Sequence, residues 1–276
     1  MALKELLLHL DGGTLDTEHL KLTIELAQAH DAALTGLFVE HHVADGLILD
    51  APPSGALIDA LEEERQNRRA NIASRFDEVT KKAGIRCELR IEDGDTVHWL
   101  GLHGRYADLI ITGQPQADDD LLGTGGVPGA VALSGGRPVL VIPRAGARTL
   151  VAKRTVVAWN ESREATRAIS DAMPILQMAE RVEVLNVSSG AHASAGESSV
   201  ATMSRHLTRH GVKAEANVMS QGEVDPAELL LSHVNRYGAD LVVMGAYGHS
   251  RLREFVLGGM TRHLLNYSPV PLFLSH

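Results

Sequence analysis

Segments of the first half of this 276-residue chain return in the same order in the second half. Residues 105–113 (RYADLIITG) correspond to residues 236–245 (RYGADLVVMG), and residues 3–13 correspond to residues 152–162. Units of this length are duplicated domains, because the units of a solenoid are much shorter. The chain is also long enough for two domains of ordinary size. We therefore predict two similar domains, over residues 1–147 and 152–276.

Within each half, strand-like and helix-like segments alternate. The continuous apolar run Leu241 to Met244 is typical of a strand that is buried on both faces of a parallel sheet. Alternation of such runs with helical segments predicts βαβ units. We predict an α/β fold with two tandem Rossmann-like domains, each a five-stranded parallel sheet with helices on both faces.

The composition restricts the partners and the compartment. A net charge of −9 argues against a general binder of nucleic acid or of an anionic membrane, since phosphate backbones require a clustered basic face. The single cysteine, Cys87, suits a reducing compartment. No apolar run reaches the length of a membrane span, and the N-terminal segment has the pattern of a first strand and not of a signal peptide. We expect a cytoplasmic protein.

Glycines follow the apolar run of the second half in a regular pattern. Gly245 and Gly248 come directly after it, nine residues intervene, and the pair Gly258 and Gly259 follows. Backbone N–H groups that point outward where a strand feeds a helix form an anion site, which the helix dipole reinforces. The pattern predicts a phosphate-holding loop, followed by a helix over residues 251–266.

This glycine spacing resembles the nucleotide loop of the universal stress protein family, written G-x-x-G, nine residues, G-[ST]. The flanks are similar as well, from residues 239–245 (ADLVVMG) to the closing strand within residues 268–276. The resemblance implies a fold of the adenine nucleotide alpha hydrolase type and an ATP site, with or without Mg²⁺, between the first and fourth strands. One position departs, because Gly259 replaces the hydroxyl residue, although Thr261 supplies a hydroxyl two residues on.

The resemblance places the site residues mostly in the second half. Asn160 stands where the family has an aspartate that contacts the nucleoside, and Val187 matches an apolar residue that lies against the base. Asn can donate and accept hydrogen bonds but carries no charge. The predicted nucleotide-contacting residues are Ala158, Trp159, Asn160, Val187, Met244, Gly245, Tyr247, Gly248, Gly258, Gly259, Met260 and Thr261.

The first half retains less of this pattern. Asp11 keeps the family carboxylate, but Gln116 replaces the second glycine and Pro115 removes an N–H donor. Three aspartates at residues 118–120 then place negative charge where a phosphate would need positive potential. We predict that the first half is a non-binding partner domain.

The family fold implies that the fifth strand mediates pairing of domains. In a tandem chain the two halves would pair with each other, and a homodimer of the chain is a further option. The resemblance implies a stress-response accessory protein that responds to an adenine nucleotide and acts on a protein partner that the sequence does not identify. The alternative is an interaction or structural module whose nucleotide site has lapsed.

An enzymatic function has little support in the sequence. No G-x-S-x-G motif, paired carboxylates or general base can be named, so we expect at most a weak ATPase. His206 and His210 are spaced i, i+4, but no HExxH or CxxC motif accompanies them, and we predict no metal site. Residues 122–129 and the serine-rich residues 188–199 are predicted to be surface loops.

Overall fold

The computed structural model describes residues 2–13, 16–40, 54–115, 126–147, 149–188, 193–220, 222–248 and 259–276. Ten strands are found in this part of the chain: β1 Glu5–Leu10, β2 Ala33–Glu40, β3 Cys87–Asp93, β4 Leu109–Gly113, β5 Val139–Ile142, β6 Arg154–Ala158, β7 Arg181–Ser188, β8 Ala214–Ser220, β9 Leu241–Gly245 and β10 Leu272–Ser275. The helices are α1 Asp16–His30, α2 Gly55–Thr80, α3 Thr96–Gly104, α4 Gly126–Ser134, α5 Arg163–Leu176, α6 Ala193–Arg209, α7 Pro226–Tyr237 and α8 Gly259–Tyr267.

All ten strands belong to one sheet in the order β3-β2-β1-β4-β5-β10-β9-β6-β7-β8. Each half contributes five parallel strands, and the two halves have the same strand order. The central pair is antiparallel, with Leu272 opposite Val141 and Leu274 opposite Val139. The predicted α/β fold is confirmed, and the two halves pair through their fifth strands, as the resemblance implied.

Strand burial follows from the position of each strand in the sheet. The central strands carry continuous apolar runs, and all four residues of β5 and of β10 are buried. The outer strands β3 and β8 are more polar and half-exposed. Helices cover both faces of a parallel sheet, which explains why its inner strands are apolar on both sides.

Two predicted loops are partly helical. Helix α6 begins at Ala193, inside the serine-rich segment, and its residues Val200 and Leu207 are buried against the sheet. Helix α4 begins at Gly126, and its Pro128 and Val131 are buried. Both predictions were wrong because tertiary packing of an apolar face outweighs weak local helix propensity. Helix α8 begins at Gly259, and the residues 251–258 of the predicted helix lie outside the described part.

No helix in the described part of the chain is long and apolar enough to cross a membrane. The described residues also contain no group of three His, Cys, Asp or Glu side chains that could hold a metal ion. The rings of His206 and His210 do lie together, with centroids 4.6 Å apart.

Candidate functional site

Seven of the predicted site residues of the second half line one cavity at the carboxyl ends of β6, β7 and β9. Strand β6 pairs with β7 on one side and with β9 on the other. The strand order therefore reverses at β6, which is the topological switch point of this half of the sheet. Ligands of open α/β sheets bind in such a crevice. A cavity lies here, lined by Ala158, Trp159, Asn160, Leu185, Val187, Leu230, Met244, Gly245 and Met260.

The cavity is apolar on most of its wall and small. Its volume is about 80 Å³, well below the several hundred Å³ of a usual ligand pocket. Met260 lies half-buried at its edge, and methionine is the apolar side chain that adapts most easily to a new shape. This volume is smaller than a nucleoside fills, and Met260 is the lining side chain best able to enlarge it.

Asn160 closes the turn between β6 and α5. Its side-chain carbonyl accepts a hydrogen bond from the backbone N–H of Ser162 at 3.2 Å. Ser162 is the N-cap of α5 and accepts from the N–H of Ala165 at 3.1 Å. The carbonyl of Asn160 is thus used by the turn, and the residue is exposed and lines the cavity.

Trp159 both lines the cavity and connects neighbouring elements. Its side chain is 8% exposed, and the indole N–H donates to the hydroxyl of Ser199 on α6 at 2.8 Å. The side-chain amide of Asn186 donates to the carbonyl of Trp159, also at 2.8 Å. The indole therefore has one preferred position, in contact with α6.

Close contacts with the start of α5 exclude a side chain at the first loop glycine and crowd one at the second. A β-carbon at Gly245 would lie 2.4 Å from the backbone nitrogen of Ala165, a distance that no real side chain adopts. A β-carbon at Gly248 would lie 3.0 Å from Oε2 of Glu164 and 3.3 Å from Oγ of Ser162. The loop after β9 is thus packed directly on the N-terminal turn of α5.

Tyr247 gives this loop an unusual backbone turn. It has a positive φ of 60°, which is rare outside glycine and marks a tightly determined conformation. Its backbone N–H donates to the hydroxyl of Thr261 at 3.3 Å, and Thr261 is buried. The Thr261 hydroxyl therefore binds the loop itself and connects it to α8.

The remaining predicted residues lie on either side of this loop. Met244 is buried at the end of β9, and Val187 is half-buried near the end of β7. Gly259 is exposed at the start of α8, and a β-carbon there would have no atom of the described residues within 4 Å. Gly258 was also predicted and lies outside the described residues.

Glu164 is a residue of this site that the sequence prediction missed. It is 6% exposed, in the first turn of α5, with its carboxylate facing Gly248. Burial raises the pKa of this carboxyl, but its own backbone N–H, Arg163, His276 and Ser162 together outweigh burial and hold the pKa below its usual value. An acidic residue two positions after the N-cap Ser162, in the first turn of α5, was the available signal, since helix N-termini favour negative charge.

The corresponding place in the first half is filled differently. Asp11 accepts a hydrogen bond from the N–H of Gly13 at 2.7 Å. A β-carbon at Gly113 would lie 2.9 Å from Cε1 of His19, whose ring is buried and whose pKa is lowered by that burial despite nearby Asp11 and Glu18. Pro115 is buried. Gln116 and residues 118–120 lie outside the described part, so the predicted loss of this site stays a prediction.

Three comparisons with known proteins agree with this architecture. The family model described as "Universal stress protein family" matches residues 152–276. A universal stress protein from Archaeoglobus fulgidus DSM 4304 superposes with a TM-score of 0.75 and 20% identity, over 98% of this chain and 95% of its own. A protein of Pseudomonas aeruginosa UCBPP-PA14 with the same family name superposes with a TM-score of 0.58 and 17% identity, over 99% of this chain and 93% of its own. At such identities the likeness shows the fold.

One curated relative is similar over a short stretch. The stress response protein NhaX of Bacillus subtilis (strain 168) is 35% identical over 52 residues, which are 19% of this chain. The match spans 31% of the length of that relative.

Proposed function

Because the second half of this chain, residues 152–276, belongs to the universal stress protein family, we propose that the protein binds an adenine nucleotide, ATP, in that half. The nucleotide makes the protein a regulator in the stress response, since its presence changes the surface that the protein offers to a protein partner. The proposed location of the protein is the cytoplasm.

One observation carries this proposal most strongly. The glycines at 245 and 248 are held against α5 at distances that exclude any larger residue at 245 and crowd one at 248. Within this turn the N–H groups of Ala246 and Tyr247 donate to Ser275 and Thr261, so the N–H of Gly248 is the donor of the described turn that we assign to a phosphate group. Gly248 and the N-terminus of α8 at Gly259 are the two groups of donors in the described residues that would hold it.

The rest of the site suits a nucleoside. Val187, Leu230 and Met244 supply an apolar wall for a base. The amide of Asn160 supplies a donor at the mouth of the cavity, within reach of a ribose hydroxyl. A Mg²⁺ ion, where one accompanies the nucleotide, is expected to take most of its ligands from phosphate and water.

Catalysis is not part of the proposal. Any ATP hydrolysis is expected to be slow, because the sequence offers no motif of a nucleophile with its general base.

The test is to analyse, by mass spectrometry, what the freshly purified protein releases on denaturation, and then to titrate the stripped protein with ATP in a calorimeter. We expect at most one ATP per chain, bound in the second half. Gly248→Val should remove binding, because its side chain would enter the space of Glu164 and Ser162, while the thermal unfolding midpoint changes little. Gly101→Ala, on a helix of the first half with no neighbouring atom within 4 Å, is the matched control and should bind normally. Unchanged affinity of the Gly248 variant would remove the site assignment.

A second candidate is an interaction module with a lapsed nucleotide site. The small cavity volume of about 80 Å³ and the engaged carbonyl of Asn160 favour it. Absence of bound nucleotide, together with no heat and no thermal shift up to millimolar ATP, would support this candidate over the first. Two ATP molecules per chain would show that the first half also binds.

A further inference from the structure

The carboxylate of Glu164 and the glycine loop lie next to each other in the fold. Oε2 of Glu164 is 3.0 Å from the place where a β-carbon of residue 248 would stand. The side chain is nearly buried, so solvent screens its charge less than that of a surface glutamate. A phosphate that accepts a hydrogen bond from the N–H of Gly248 would therefore be a neighbour of this carboxylate.

The negative charge of Glu164 is stabilised most by its own backbone N–H, and its ion pair within the described part of the chain is exposed. Its ion-pair partner there is Arg163, at 3.5 Å from Oε1, and the side chain of Arg163 is 96% exposed. An exposed arginine contributes little to such a pair. His276 is a second group whose charge acts on Glu164. Because the pKa of Glu164 is lowered, its carboxylate is ionised at neutral pH.

We propose that Glu164 makes nucleotide binding depend on the charge of the phosphate chain, so that the site takes a nucleotide as its complex with a divalent cation in preference to the free anion. Like charges at this distance repel, and the repulsion grows with each added phosphate. A divalent cation that lies between carboxylate and phosphate reverses the effect, since Mg²⁺ is commonly held by one or two carboxylates together with substrate phosphates. This inference rests on the proposed nucleotide function.

The experiment compares metal-free ATP, Mg²⁺-ATP and adenosine by calorimetry on the full chain and on Glu164→Gln. Glutamine retains the size and the polar end of the side chain and removes the charge. We expect the variant to bind metal-free ATP about tenfold more tightly, as removal of one nearby like charge allows. Adenosine affinity should change less than twofold, and the gain in ATP affinity that Mg²⁺ produces should be smaller than in the parent chain.

Glu180→Gln is the matched control. Glu180 is exposed, precedes β7 at the opposite end of the sheet and pairs with Lys153, so its loss changes the net charge equally without changing the site. It should leave all three affinities unchanged. If both variants gain equally in affinity for metal-free ATP, the effect comes from the net charge of the protein and the proposal is overturned. An unchanged affinity of Glu164→Gln for metal-free ATP would also overturn it.

Two further outcomes separate this proposal from the function on which it rests. Binding of adenosine and Mg²⁺-ATP that is identical in the parent and in Glu164→Gln, with no metal dependence, would overturn the role of Glu164 and leave the nucleotide site intact. Failure of all three ligands to bind either protein would overturn the proposed function itself. If Glu164→Gln does not fold, Glu164→Asp is the alternative, because it moves the carboxylate away from the loop by one methylene group. Its affinity for metal-free ATP should rise as well, but by less.

Discussion

Gly245 and Ala165 are in backbone contact: a β-carbon on Gly245 would lie 2.4 Å from the amide nitrogen of Ala165. This contact joins the end of β9 to the start of α5, and it holds the loop that we propose for phosphate binding at a set distance from Ser162 and Glu164. Substitution at this glycine should therefore affect the fold itself, whereas substitution at Gly248 should affect the site.

Gly245→Ala should destabilise the protein by about 1–3 kcal/mol, the usual cost of inserting a methyl group into a packed place that cannot expand. Urea denaturation followed by circular dichroism measures this change in the free energy of unfolding. Gly101→Ala is the control and should be neutral or stabilising by up to about 1 kcal/mol, because the position is helical and open. A Gly245 variant as stable as the control would show that the β9–α5 contact is looser than described.

Gly259→Ser should raise the affinity for ATP several-fold. The position is exposed at the first residue of α8, with no atom of the described residues within 4 Å of a β-carbon, so a hydroxyl can be added there without strain. A hydrogen bond to a charged group contributes about 1.5–3 kcal/mol where it is well formed, and less at an exposed end. Calorimetry with ATP and with adenosine measures the change in affinity, and only the affinity for ATP should rise.

Gly259→Ala is the control, because it removes the flexibility of glycine at this position without adding a hydroxyl. If the alanine variant gains as much ATP affinity as the serine variant, the effect comes from the backbone and not from a contact with phosphate.

Phe273→Ala should destabilise both halves of the chain together. Phe273 is fully buried on β10, opposite Leu140 of the first half and beside Val243 of the second. Removal of a buried phenylalanine side chain costs about 3–5 kcal/mol. The two tryptophans lie in different halves, Trp99 in α3 and Trp159 after β6, so Trp159→Phe and Trp99→Phe give one fluorescent reporter in each half.

Coincident urea transitions from the two reporters, both shifted to lower urea by Phe273→Ala, would confirm that the sheet couples the halves. A shift of the Trp159 reporter alone would show that the antiparallel β5–β10 pair transmits little stability. Tyr267→Ala, at a 66% exposed position on α8, should leave both transitions within about 0.5 kcal/mol.

Tyr237 should titrate late on alkaline exposure. Burial raises its pKa to about 12, and the hydrogen bond from its hydroxyl to Glu215 acts in the same direction. Because the folded pKa lies above the unfolded value near 10, the associated stability is complete below pH 10 and is lost as the pH rises toward 12. Since Tyr237 is only half-buried, this amounts to no more than about 1 kcal/mol.

The measurement is the absorbance of tyrosinate as a function of pH. Tyr237→Phe should remove the latest of the tyrosine transitions and flatten the loss of stability above pH 10. Tyr106→Phe, at an 80% exposed position, should leave that transition in place. A late transition that persists in the Tyr237 variant would assign it to another tyrosine.

Patterns along the chain were sufficient to predict the architecture. Leu241 to Met244 are buried as the continuous apolar run indicated, and the repeated segments form equivalent strands of two similar half-sheets. The glycine spacing led to the same crevice that Ala158, Val187 and Met260 line. Such features depend on residues near one another in sequence, whose periodicity directly determines strand, helix and turn.

The contacts that give the site its character were decided by the tertiary structure. Glu164 and Gly248 are far apart along the chain, as are Trp159 and Ser199, and no local pattern specifies that either pair meets. Helix α6 extends into the serine-rich segment as far as Ala193, and Ser199 on this helix accepts the hydrogen bond from Trp159. The sequence by itself therefore determined the fold class, the duplication and the place of the crevice. Only the packing of β9 against α5 decided that the carboxylate of Glu164 lies beside the glycine loop, since close packing depends on the whole set of neighbours in three dimensions.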